Sequence, residues 1–201
     1  RTHLGLVNGI FKEIPPERLG AALLRQFCIR VPQARQAQLL IGGNAVGSGG
    51  NLTRLLALEA GIPAAVPALT VDMQCASALA ALSLGYGQIR SGLLEVVLAG
   101  GVESSSMQPR RVYQPWDERY TPEGFMTAQF SPDTSSPRAM LEGAERTAQV
   151  YQVSRAELDR WAVRSHRKAA EAWKSGALDP YVVSLFGSTR DESIRNRMNE
   201  K

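Results

Sequence analysis

Cysteine is scarce in this chain of 201 residues: there are two, Cys28 and Cys75. The disulfide frameworks that hold small secreted domains need more, so that class is excluded and an intracellular setting with free thiols is favoured. No apolar run reaches the length of a bilayer span, and no membrane partner is expected. The opening Arg1-Thr2-His3-Leu4-Gly5 lacks the apolar region and cleavage site of a signal peptide, and none is expected. There is no short-period repeat and no low-complexity tract.

Excess charge is also small. The net value is +4, with no block or stripe of basic residues, so nucleic acid is not expected as a partner. The excess suits an anionic ligand such as a nucleotide-bearing thioester. Hydrophobic residues at 44% and charged residues at 21% match an ordinary globular protein. The length suffices for one good-sized core, or one and a half domains.

Residues 37–103 read as alternating strands and helices. Residues 37–43 form a short apolar run ending in glycine, which predicts a buried strand. Asn51 is placed to cap a helix running to about Ala60, with Leu52, Leu55 and Leu56 on one face, and Gly61-Ile62-Pro63 stops it. A second strand is predicted over 68–74. A helix over 76–90 follows, apolar on nearly all sides (Leu79, Leu82, Leu84, Ile89) and therefore expected to be buried. A third strand is expected over 95–101. Strands joined by helices of this length imply a parallel sheet covered by helices, an α/β fold. Residues 109–137 read as a long loop. Helical signals return at 140–151. Ser154-Arg155-Ala156-Glu157 is a capping box, and Leu158, Trp161, Ala162, Ala169 and Trp173 recur behind it at helical spacing until Gly176. Residues 181–186 suggest a strand, and 187–201 a polar tail.

The most informative stretch is T-V-D-M-Q-C-A-S-A-L-A-A-L, residues 70–82. Cys75 falls where a strand turns into a helix. First-turn amides lack partners inside a helix, and the dipole adds positive charge there. Both favour a thiolate, so the thiol's pKa is expected to fall. The same amides are suited to stabilising an oxyanion on a thioester bound at the sulfur. The small residues Ala76, Ser77 and Ala78 leave room for a substrate to approach. The alternative for Cys75 is a buried apolar position, since free cysteine is among the most buried residue types. Cys28, among apolar residues of a helix, is assigned that structural role. His166 lies among Arg164, Arg167 and Lys168 on a charged helix face, where a solvated role is favoured. His3 has no partner visible in the sequence. Glu103 is read as a structural hydrogen-bonding residue at a strand end.

Several motifs, in order, resemble the thiolases, the acetyl-CoA acyltransferase family. They are Arg1-Thr2 with Gly5, Gly43-Asn44 followed by Asn51, Gln74-Cys75-Ala76-Ser77 with Leu79 and Ala81, and Ala99-Gly100-Gly101-Val102-Glu103-Ser104. Met140, Ala144, Glu145 and Ala148 fit a further motif. So do Ser154-Arg155 through Ser165-His166 and Ala169. The resemblance covers residues 1–183 and implies a thiolase-like fold. One βαβ half, its mixed or parallel sheet flanked by helices, would occupy 1–116. Part of an inserted helical loop domain would occupy 117–178, with 179–201 unassigned.

It further implies acyl transfer through a cysteine thioester, in Claisen condensation of acyl-CoA or thiolysis of 3-ketoacyl-CoA. Cys75 would be the acylated nucleophile, its backbone N–H part of an oxyanion hole. Met140 matches a methionine lining the acyl pocket of short-chain members, against the alternative of a core methionine. CoA thioesters enter as substrates. No metal or tightly bound organic cofactor is expected, and a cytoplasmic homodimer or homotetramer is implied.

The sequence also departs from the family. The G-H-P histidine, N-E-A-F asparagine and C-x-G cysteine of its later half are not found, so this chain alone is expected not to turn over. Asp72 replaces an asparagine and, if ionised, would oppose a thiolate at Cys75. Such an Asp resembles the ketoacyl synthases, a second enzyme class to consider. A non-catalytic acyl-CoA-binding half is the non-enzyme alternative. Leu141 and Gly143 replace Gly and Thr after Met140, which leaves chain length open.

Overall fold

The computed structural model describes residues 1–132, 136–195 and 198. The chain divides into two compact units, one of Arg1–Pro109 with Tyr181–Glu192 and the other of Arg110–Pro180 with Ser193–Lys201.

The first unit is built on three parallel strands, β1 (Leu39–Gly43), β2 (Ala68–Val71) and β3 (Val97–Gly101), which form one sheet in the order β2-β1-β3. Helix α2 (Leu52–Glu59) joins β1 to β2, and α3 (Ser77–Arg90) joins β2 to β3. Such crossovers are what parallel pairing requires. Leu40 pairs with Ala68 and with Leu98, and Gly43 with Val71 and Gly101. The pleat sends alternate residues of β1 to opposite faces. Leu40 packs with Ala37 and Ala57 of α2, and a side chain on Gly42 would meet Thr53. On the other face a side chain on Gly43 would meet Ser77 and Ala78 of α3. Helix α1 (Pro16–Arg30) opens with proline, whose missing N–H is harmless there, and packs beside α2.

Asn51 caps α2 as its position suggested. Its Oδ1 accepts from the Arg54 N–H at 3.1 Å and from the Thr70 hydroxyl at 2.9 Å, while its Nδ2 donates to the Ala68 carbonyl at 2.7 Å. One side chain thus ties the start of α2 to β2. Asn51→Ala is expected to cost about 1 kcal/mol or somewhat more, read as a shift in a urea-unfolding midpoint at unchanged slope.

Two expectations are corrected here. Helix α3 is not buried all round. Only Ser77, Ala81 and Gly85 are, while Leu79 is 65% and Leu82 53% exposed, and Leu84 and Ile89 are also exposed. The physical reason is the stripe of small residues at i, i+4 and i+8. It lets the helix lie against the sheet, with Gly85 over Val97 and Ala99, and turns the large side chains outward. Residues 181–186 form no strand. A single parallel bridge joins Val183 to Thr2. Phe186 and Gly187, at φ 50° and 77°, turn the chain before a ladder can grow.

That returning segment clasps the chain's opening. Arg1 makes two hydrogen bonds to Asp191, at 2.9 and 2.8 Å, and Asp191 also accepts from the Leu4 N–H. Glu192 accepts from the Ile10 and Leu6 N–H groups, which hold its carboxyl below the usual range. His3 is buried, its Nδ1 2.9 Å from the Ser188 hydroxyl.

In the second unit, α4 (Ala139–Val150) precedes α5 (Arg155–Lys174). The capping box is present: the Ser154 N–H donates to Glu157 and the Glu157 N–H to the Ser154 hydroxyl. The Ser154 hydroxyl, donating to Glu157 Oε2 at 2.7 Å, and then the Ser154 N–H hold the Glu157 carboxyl below its ordinary value. Val163 is the buried residue of α5. Trp161 is 67% exposed and covered on one ring face by the Arg164 guanidinium at 3.9 Å. Residues 109–132 carry no helix or strand. Arg111 and Phe125 exchange two backbone hydrogen bonds, Tyr113 stacks on Phe125, and Arg119 lies over Tyr113 while gripping Asp117. The hydrogen bonds from Arg119 hold the Asp117 carboxyl down to about 2.

Candidate active site

Strand β2 ends at Val71 and α3 begins at Ser77, so residues 72–76 must reverse the chain within a few bonds. Cys75 sits on this turn and is exposed. The buried-hydrophobe alternative therefore does not describe it. Cys28 does fit that description: it is buried in α1, and burial pushes its thiol up, with Arg35 partly opposing.

Gln74 takes a left-handed φ of 52°, uncommon for a residue with a side chain. The Asp72 Oδ1 accepts from the Gln74 N–H at 2.9 Å. The Ala76 and Ser77 N–H groups donate to the carbonyls of Met73 and Gln74. Neither bond uses the Cys75 amide. No side chain caps α3, so nothing of that kind covers the positive end of its dipole. Among the described residues no hydrogen bond reaches the Cys75 sulfur.

The sheet approaches this turn at backbone distance. A Cβ on Gly43 would lie 2.5 Å from the Ala78 nitrogen. Beyond Gly43 the chain enters a glycine-rich loop held by Glu103. Its Oε2 accepts from the Ala45 and Val46 N–H groups at 2.9 and 3.0 Å, and its Oε1 accepts from Asn44. Asn44 also donates to the Val102 carbonyl. Glu103 thus has the structural role its place at a strand end suggested.

Met140 lies at the start of α4 in the second unit and is 67% exposed. It does not fill a core there. His166, on α5, is half-buried rather than solvated, and its Nδ1 accepts from the Arg195 N–H at 3.2 Å. Sequence reasoning missed two contributors: Ser77, whose hydroxyl bonds within the turn, and the close approach at Gly43. The small residues after Cys75 were the available signal for both. No group of three or more metal-ligating side chains is found among the described residues. No helix among them is long and apolar enough to cross a membrane.

The model of the thiolase N-terminal domain matches residues 1–200. The chain belongs to the thiolase family. Among curated thiolase relatives, "Putative acetyl-CoA C-acetyltransferase VraB" of Staphylococcus aureus (strain COL) is 36% identical over 205 residues. That match takes in 98% of this chain and 54% of the relative. "Putative acetyl-CoA C-acetyltransferase YhfS" of Bacillus subtilis (strain 168) is 38% identical over 194 residues, covering 96% of this chain and 49% of the relative. The crystal structure of a Bacillus anthracis acetyl-CoA acetyltransferase superposes with a TM-score of 0.81 at 26% identity, over 99% of this chain and 54% of that one. This thiolase chain therefore spans about half the length of the relatives it matches.

Proposed function

We propose that the intact protein is an acyl-CoA acyltransferase in which Cys75 carries the acyl group. The observation behind this reading is the setting of Cys75: an exposed thiol at the uncapped start of α3, in a chain of the thiolase family. The sulfur, as thiolate, attacks the carbonyl carbon of an acyl-CoA. A carbon–sulfur bond to Cys75 forms, the bond to CoA breaks, and CoA leaves as its thiol with the proton that Cys75 gave up. In the condensing direction the α-carbon of a second acyl-CoA, after losing a proton, attacks this thioester and releases Cys75. Thiolysis of a 3-ketoacyl-CoA is the reverse.

We assign the developing oxyanion to the Cys75 N–H, which the turn's own two amide bonds leave aside. Met140, exposed at the start of α4, is our candidate for contact with the acyl chain. CoA thioesters are the substrates, with no further cofactor. Two free cysteines fit the reducing cytoplasm, and a homo-oligomer is the assembly we expect of the intact protein.

The experiment is incubation of the intact protein with acetyl-CoA, followed by removal of CoA and peptide mass mapping. An acetyl group on Cys75 is the expected result; no adduct, or one on another residue, would sink the reading. A companion measurement is iodoacetamide labelling near neutral pH. Cys75 is expected to react at least about tenfold faster than Cys28, which is buried with its thiol pushed up. Equal rates would remove the argument from exposure.

A further inference from the structure

We propose that Ser77 and Asp72 are positioning residues that hold the Cys75 turn in its reactive geometry. The inference rests on the acyl-transfer reading and extends it to residues that need not touch substrate. The Ser77 hydroxyl is engaged on both sides. It accepts from the Met73 N–H at 2.8 Å and donates to the Gln74 carbonyl at 2.6 Å. Ser77 is only 5% exposed, so water does not readily replace it. Met73 and Gln74 precede the nucleophile and Ser77 follows it. One hydroxyl therefore ties the incoming arm of the turn to the first residue of α3, with Cys75 on the tied loop.

Asp72 fastens the same turn from outside. Its carboxylate takes the Gln74 N–H, the residue whose left-handed backbone needs outside support. Asp72 is exposed, so its bond can be removed with little disturbance of the core. An asparagine carbonyl accepts the same bond, so the acceptor, not the charge, is the feature that matters here. This accounts for Asp72 standing where the family resemblance leads one to expect asparagine.

The turn's carbonyls and the Cys75 amide share one short backbone path. Loosening either bond changes the direction in which the sulfur and its N–H point, and misplacement on the order of 1 Å costs about a hundredfold in rate.

The test uses the intact protein and acetyl-CoA. Ser77→Ala is expected to lower the maximal rate of Cys75 acetylation about tenfold or more, with the half-saturating concentration changed less than about threefold. The final extent of acetylation stays that of the parent. A merely unstable protein would instead lower the extent. Acetylation of Ser77→Ala within about threefold of the parent rate would overturn the proposal.

Should Ser77→Ala not fold, Asp72 decides. Asp72→Ala is expected to slow acetylation about fivefold or more, and Asp72→Asn to restore it to within about twofold. Asp72→Asn as slow as Asp72→Ala, or Asp72→Ala as fast as the parent, would overturn it. If the parent protein takes up no acetyl group, the acyl-transfer reading fails separately. The turn is then read by iodoacetamide labelling of Cys75, where Asp72→Ala and Asp72→Asn must still differ for the proposal to stand.

Discussion

Replacing Cys75 with alanine is expected to abolish acyl transfer, by on the order of 10⁴-fold or more, and to leave the fold unchanged. The two halves of that expectation come from different observations. Cys75 is exposed on a turn, where loss of a side chain away from the core shifts stability by about 0.5 kcal/mol or less. Of the two thiols in this chain it is the one able to meet a large thioester, because Cys28 is buried in α1. Serine at position 75 is expected to fail as well, since a hydroxyl at its ordinary acidity is a poor nucleophile without an activating base. The measurements are steady-state turnover with a 3-ketoacyl-CoA and CoA, and thermal unfolding of parent and variant side by side. Retained turnover in Cys75→Ala would end the nucleophile assignment. Lost turnover with a lost unfolding transition would show Cys75 to be structural.

Gly43→Ala is expected to damage both stability and activity. The added carbon would sit 2.5 Å from the Ala78 nitrogen and 2.5 Å from the Ser77 carbonyl carbon. Both are backbone atoms, so no side chain can swing aside. Either β1 or the start of α3 has to move. Overpacking of this kind costs about 3 kcal/mol when the surroundings are rigid. Gly101 adds to the constraint, since a Cβ there would lie 3.0 Å from the Gly43 carbonyl oxygen. Any displacement of α3 carries the Cys75 turn with it, so the folded fraction of the variant is expected to acetylate about a hundredfold more slowly. Urea unfolding and single-turnover acetylation check the two parts. A variant with the parent's stability and rate would show that the strand and helix have slack at this point.

Much of the first unit was legible in the sequence. The β1-α2-β2-α3-β3 order followed from apolar runs, glycine stops and the Asn51 cap, because each of those signals acts within a few residues. The strand ends were less legible. The run over 68–74 stops as a strand at Val71, because Asp72 and Gln74 already engage each other in the turn. The burial of α3 was misread because its leucines dominate any apolarity count, whereas packing is decided by Ser77, Ala81 and Gly85. The clasp of Arg1, His3 and Leu4 by Ser188 and Asp191 was not legible at all. Such contacts depend on where a distant segment returns. At the site, Cys75 and the role of Glu103 could be argued from position alone, while the Ser77 bonds required coordinates.

The small-residue seam of α3 has a mechanical consequence. With Ser77, Ala81 and Gly85 against the sheet, the helix rests on the strands almost backbone to backbone, and its height above them is fixed without the play of long side chains. A wedge anywhere along the seam would tilt the helix as a lever, with the cysteine near its tip. Enlarging Gly85, where an added Cβ would already lie 3.0 Å from Val97, would therefore be felt nearly three turns away at the sulfur. Changes among the outward leucines would leave that lever at rest.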